Sequence, residues 1–344
     1  MRKKRSTSRG LGSDEVHSED DRKMNQLPKV ELHLHLDCSL SYKAVSRLDP
    51  KISLKEFETE FIAPSQCASL TEFLTRASRG FQLMQTEEAL RLVTEDVFQQ
   101  LASDNVIYAE IRFAPLLHLE RGLSPEAVVA AVDRATEDCI RATGIEARLI
   151  LCTLRHFSEE QSMLTAKLVE RFRGSHVVAL DLAGDEAGFP IDAHRSAFRL
   201  AMELGIDRTA HSGEAADASS VWETLQVLQP MRIGHGMQSA EDPKLIEYLK
   251  ANRIHLEICP SSNVQTRACL AYEEHPVNSL LRQGVSLGIS TDTRTTTDVS
   301  LSDEYERLSK HFGWDEADFL ACNRAAMEAA FVDEQVRERL MAKL

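Results

Sequence analysis

Eight short apolar or β-branched runs alternate along this chain with longer amphipathic stretches. Few folds accept that rhythm. The runs lie at 30–36, 106–113, 148–154, 177–182, 208–211, 232–235, 254–258 and 285–290. Strands that alternate with helical patterns predict a parallel sheet. Eight such repeats predict closure into a (β/α)8 TIM barrel. Gly144, Gly174, Gly205 and Gly284 stand just past helical stretches, where a glycine ends a helix. The segment 41–105 breaks the rhythm. It is too long for one crossover and predicts helices at 54–61, 70–81 and 86–101, an insertion after the first strand beside the barrel mouth. The stretch 302–344 reads as extra terminal helices. Residues 1–26 carry the basic tetrad Arg2-Lys3-Lys4-Arg5 with no apolar run behind it. They are expected to be a disordered tail rather than a secretory signal. Residues 27–344 then form a single barrel domain.

Composition narrows the function. The formal net charge of −14 argues against a nucleic-acid partner and against an anionic membrane surface. No stretch approaches the ~18 apolar residues of a membrane helix. Seven cysteines are scattered without a Cys-x-x-Cys pair. Reduced thiols in a cytoplasmic protein are therefore expected. Oligomeric state is not written in the sequence.

Polar clusters stand where the predicted strands end, and in a parallel barrel those ends meet at one mouth. His33 and His35 are two apart, so on a strand both imidazoles face the same side. His211 adds a nitrogen from the fifth strand and Asp292 an oxygen from the eighth. Three imidazoles and a carboxylate suit zinc or a similar borderline ion, with a position left for water. Such a water loses a proton near neutral pH. Each residue alone has a plainer account: His211 as a core histidine, Asp292 as a helix cap. Four at three strand ends make coincidence a poor explanation. Glu214, three residues beyond His211, faces this centre without binding it, and in a closed pocket its carboxyl can be a proton donor. His235, between Gly234 and Gly236, can either accept a proton from the water or hold it in line. Gly184 offers a bare backbone amide to a flat ligand, although a turn glycine explains it nearly as well. The run Thr295-Thr296-Thr297 suggests no chemistry.

With these residues placed, the chain resembles the adenosine deaminase family of metal-dependent amidohydrolases. The resemblance rests on an ordered set: Pro28-Lys29-Val30-Glu31-Leu32-His33-Leu34-His35-Leu36-Asp37, Leu180-Asp181-Leu182-Ala183-Gly184-Asp185-Glu186, His211-Ser212-Gly213-Glu214, Arg232-Ile233-Gly234-His235-Gly236, Cys259-Pro260-Ser261-Ser262-Asn263 and Ser290-Thr291-Asp292. It implies one zinc ion on His33, His35, His211 and Asp292. It implies that Glu214 protonates purine N1 and that His235 works with Asp292 on the water. It places Asp37 on ribose hydroxyls and the Gly184 amide on purine N3, with His35 also bordering the substrate. Two positions depart from the family pattern. Cys38 replaces a glycine, and Thr293 replaces the acidic or amide residue that contacts purine N7. A hydroxyl can still serve there, at shorter reach.

The expected activity is hydrolytic deamination of a 6-aminopurine nucleoside, adenosine to inosine with release of ammonia. The expected partner is a small-molecule purine nucleoside. The alternatives are the same barrel acting on another 6-amino or N6-substituted purine (base, nucleotide or modified adenosine), or a catalytically silent nucleoside-binding barrel. A two-metal amidohydrolase would need a lysine or carboxylate bridging at the fourth strand, and no lysine stands there. A cytidine-type zinc site needs Pro-Cys-x-x-Cys, and after Cys259 no second cysteine arrives.

Overall fold

The computed structural model describes Met24 and residues 26–344. The predicted tail therefore falls almost entirely outside the described residues. The strands are β1 (Lys29–His35), β2 (Val106–Phe113), β3 (Glu146–Leu154), β4 (Val177–Ala183), β5 (Asp207–Ser212), β6 (Arg232–His235), β7 (His255–Ile258) and β8 (Leu287–Ile289). They pair in sequence order, every pair parallel. A bridge between Leu34 and Asp292 brings the last strand back to the first. The predicted barrel is thus the observed one. Its seam is narrow: His35 N–H donates to Asp292 O at 2.8 Å, and Asp292 N–H donates to His33 O at 3.0 Å. The eighth strand is shorter than its apolar run, because beyond Ile289 the chain turns in to make that seam.

The insertion holds α1 (Tyr42–Leu48), α2 (Leu54–Glu60), α3 (Leu70–Leu83) and α4 (Glu87–Ser103). The first of these was not read from the sequence. It is only two turns long, too short for a periodicity, and it starts because the Ser41 hydroxyl accepts the Ala44 N–H. Around the barrel run α5 (Pro125–Thr143), α6 (Glu159–Arg171), α7 (Arg195–Glu203), α8 (Ala218–Val227) and α9 (Pro243–Asn252), then the short α10 (Pro260–Gln265) and α11 (Val277–Arg282). The chain ends in α12 (Leu301–Phe312), α13 (Glu316–Ala329) and α14 (Glu334–Met341). Gly144 ends α5 in the left-handed conformation expected of it.

The threonine run after β8 does have a task. Thr295 Oγ1 donates to Leu40 O at 2.7 Å, and Thr296 O accepts the Ala63 N–H at 2.8 Å. It ties the insertion to the barrel mouth.

The barrel lumen carries a column of opposite charges instead of an all-apolar core. Arg112 bonds Glu257 at 2.6 Å and Asp181 at 3.1 Å. Arg232 pairs with Glu257 at 2.8 Å and with Glu110, and its guanidinium lies 3.6 Å from the Phe331 ring centroid. Fully buried charges persist only when paired and hydrogen-bonded. Here each arginine meets two carboxylates. The column runs from the Phe331 plug up to the residues that hold the site.

Candidate active site

The ends of β1, β5 and β8 bring His33, His35, His211 and Asp292 together. Ligand atoms of all four lie within 4.8 Å of one another. His35 Nε2 is 3.1 Å from His211 Nε2, and Asp292 Oδ1 is 3.2 Å from His33 Nε2 and 3.5 Å from His35 Nε2. Ligands about 2.0 Å from a tetrahedral ion stand roughly 3.3 Å apart. The spacing therefore fits a single zinc-sized cation.

The proton inventory points the same way. His33 Nδ1 lies 2.9 Å from Glu257 Oε2, and His211 Nδ1 lies 3.2 Å from Asp181 Oδ1. Each carboxylate takes an N–H from its imidazole, which leaves both Nε2 atoms bare. His33 Nε2 is buried, with the Asp292 carboxylate 3.2 Å away and no well-aligned hydrogen bond. Bare nitrogens and a carboxylate oxygen crowded together are acceptors facing acceptors, an arrangement that a cation relieves. Burial also holds the His35 and His211 imidazoles below their ordinary pKa, so both rings stay free to ligate. Asp181 is buried too, but the imidazole of His211 and the Arg112 guanidinium hold its carboxyl well below the usual range. None of these supporting groups was assigned from sequence. Arg112 shares an otherwise apolar strand with Glu110, and Glu257 is a carboxylate inside the short strand β7. That is a signal of buried pairing, but a sequence does not say with what.

Glu214 sits beside this cluster. Its carboxylate, His235 and Asp292 also present atoms within 4.8 Å of each other. Burial pushes the Glu214 carboxyl well above the ordinary range, and the neighbouring Asp292 and Glu186 charges push further. His235 Nε2 is 3.5 Å from Glu214 Oε2. Ser262 donates to Asp292 Oδ2 at 2.7 Å, fixing the rotation of that carboxylate.

Glu186 is a further residue to which the sequence reading gave no role. One of its carboxylate oxygens accepts the N–H groups of Glu214, Ala215 and Ala216 at 3.0, 2.7 and 3.1 Å. The other accepts that of Gly213 at 2.8 Å and the Ser212 hydroxyl at 3.2 Å. The loop after β5 is folded around this anion. The only hint in the sequence was an acidic pair, Asp185-Glu186, just past a strand end.

A small cavity opens on the cluster, lined by His35, Cys38, Gly184, His211, Glu214, His235, Asp292 and Thr293. From α3, Leu70, Phe73, Leu74 and Ala77 cover it with one apolar stripe. Thr293 Oγ1 lies 2.7 Å from Thr297 Oγ1, so its hydroxyl is held in place. Asp37 is buried next to Cys38, whose thiol donates to its carboxylate at 3.6 Å. Burial raises its carboxyl to about 6. Its nearest basic neighbour is His118, whose Nε2 is 3.9 Å away and without a hydrogen-bond partner. Two glycines are required by contact. A Cβ on Gly234 would stand 2.9 Å from His33 Cε1, and one on Gly80 of α3 would stand 2.0 Å from Asp37 O.

The family model for adenosine deaminase matches residues 28–344. The chain belongs to the adenosine deaminase family. A relative described as an adenosine deaminase, from Clostridium acetobutylicum, is 36% identical over 325 residues, covering 92% of this chain and 97% of that protein. Among solved structures, the adenine deaminase from Arthrobacter aurescens superposes with a TM-score of 0.85 at 26% identity, over 92% of this chain and 98% of that one. The Arabidopsis N6-mAMP deaminase gives a TM-score of 0.82 at 26% identity, over 93% and 98%. This member of the family is an aminohydrolase, and the relatives support deamination of a purine. All seven cysteines are free. Among the described residues no helix is long and apolar enough to cross a membrane.

Proposed function

We propose that this enzyme removes the 6-amino group of a purine nucleoside, with adenosine as the preferred substrate and inosine and ammonia as products. One zinc ion would be held by His33, His35, His211 and Asp292. The ion would supply a water that loses its proton near neutral pH. The reading is carried by one juxtaposition: bare imidazole nitrogens crowd against the Asp292 carboxylate, with Glu214, whose carboxyl burial pushes well above the ordinary range, beside them.

In this reading the protein supplies three things. Glu214 gives its proton to purine N1, which makes C6 electrophilic. His235 and Asp292 orient the water against C6. Gly184, Thr293, His35 and Asp37 seat the substrate, through N3, N7, the ring and the ribose respectively. The α3 stripe excludes bulk water, which strengthens every polar contact inside. Tetrahedral geometry at C6 brings these groups into register better than the flat ring does, and the rate comes from that difference.

Relatives 33–36% identical over nine tenths of this chain are described as adenosine deaminases, which supports a nucleoside over a nucleotide. A panel of adenosine, 2′-deoxyadenosine, adenine, AMP and N6-methyl-AMP, read by ammonia release from zinc-loaded protein, tests the reading. Fastest turnover is expected with adenosine. Preference for adenine or a nucleotide would move the substrate assignment. Silence with all five under zinc would leave the purine-binding barrel without catalysis.

A further inference from the structure

Two roles for His235 stayed open in the sequence: accepting a proton from the water, or holding that water by a donated hydrogen bond. A chain of buried hydrogen bonds decides between them. It begins at the first residue of α11. The Val277 N–H, one of the unpaired donors of a helix start, points to His275 Nδ1 at 3.1 Å. His275 Nε2 lies 3.1 Å from Asn263 Oδ1. Asn263 Nδ2 lies 3.0 Å from His235 Nδ1. The three side chains are buried.

A backbone N–H can only donate, so it fixes everything downstream. His275 Nδ1 must accept, which puts the His275 proton on Nε2. That proton is donated to the Asn263 carbonyl oxygen. The Asn263 amide group then donates to His235 Nδ1, which must also accept. Turning the Asn263 amide over would require an acceptor at His275 Nε2, and the His275 proton would then oppose the Val277 N–H. A doubly protonated ring fails at either histidine for the same reason. Asn263 orientation and both tautomers thus follow from one peptide group.

We infer that His275 and Asn263 are positioning residues that lock His235 as the Nε2–H tautomer, so that His235 donates to the attacking oxygen and does not take its proton. No bond to hydrogen is made or broken at His235. Its Nε2–H faces the space shared by Glu214 Oε2 and Asp292, where an oxygen nucleophile would sit. The inference rests on the proposed deamination only for the identity of that oxygen. The tautomer itself does not depend on it.

The test is nitrogen NMR on zinc-loaded protein carrying 15N-histidine, with kinetics alongside. The His235 proton is expected on Nε2 in the native chain. In Asn263→Asp a carboxylate accepts from both histidines, so the proton should move to Nδ1. The kcat should fall about 10²-fold while KM and zinc content change little. His275→Gln keeps a donor for Asn263 and should retain the native tautomer and kcat within about tenfold, whereas His275→Leu should lose both. A native His235 protonated on Nδ1 would overturn the inference. So would Asn263→Asp with unchanged spectrum and rate. If His275→Leu does not fold, Asn263→Asp and His275→Gln still decide the matter. Failure of adenosine turnover with the native tautomer in place would count against the substrate reading alone.

Discussion

The carboxylate of Glu186 accepts the backbone N–H of Glu214 at 3.0 Å. One acid therefore places another. The same oxygen receives the next two N–H groups, and its negative charge helps keep the Glu214 side chain protonated. Glu186 thus places the proposed acid and, after burial and the Asp292 charge, adds to its raised pKa. Glu186→Ala is expected to lower kcat about 10²-fold through misplacement of Glu214, with metal content retained. Steady-state kinetics with metal analysis of the purified variant would check this. Native kcat in that variant would reduce Glu186 to a loop anchor.

Glu214→Gln should nearly abolish turnover, by about 10² to 10⁴-fold, because the amide cannot deliver a proton to N1. Zinc stoichiometry should not change, since Glu214 is outside the ligand set. Atomic absorption on the variant, beside its ammonia release, separates the two roles.

The pH profile has a definite sign. Glu214 acts protonated, and its pKa is raised above the ordinary carboxylate value. The kcat/KM of the native enzyme should therefore persist through the range where an ordinary carboxyl is already ionised, and fall as pH rises through the raised value. Glu186→Gln removes a nearby negative charge, so in its residual activity the alkaline limb should move to lower pH. A limb that stays in place would remove Glu186 from the electrostatics of the acid.

Metal removal has two readouts. Chelation should abolish deamination and lower the thermal midpoint, because an ion that binds only the folded chain stabilises it by mass action. Asp181→Asn should weaken metal affinity about 10 to 100-fold, since it disturbs the His211 Nδ1–H partner. Competition with a chromophoric chelator measures that change directly.

Gly234→Ala tests the packing behind the ligands. Its new Cβ would stand 2.9 Å from His33 Cε1, in a site with no free space. Zinc affinity should fall with stability, by an amount in the 1–3 kcal/mol range typical of overpacking. Chemical denaturation with and without zinc would resolve the two losses.

Much of this site was legible because its ligands are polar residues at the ends of apolar runs. His33 and His35 declare a shared face by their spacing, and His211, Glu214, His235 and Asp292 stand at or just past strand ends. The supports were hidden for a physical reason. Arg112 meets Asp181 and Glu257 across 69 and 145 residues of chain, and a sequence shows a buried charge without showing its counterion. His275 stands outside every predicted strand end, and its part emerges only when a backbone donor fixes the direction of a hydrogen-bond chain. The conformations of His235 and Asp292 were hidden too. Both take left-handed φ values, 60° and 66°, unusual for residues with a Cβ. Strain of that kind is tolerated where the surroundings over-determine the backbone.

The Asp37 carbonyl occupies the place where a side chain on Gly80 would begin. The helix that roofs the cavity rests directly on the peptide that follows the His33-x-His35 strand. Attempts to re-engineer the roof for bulkier purines can change Leu70, Phe73 or Leu74 one at a time. Any side chain at position 80 would instead act as a wedge, levering the roof away from the floor and prising open a chamber that depends on being sealed.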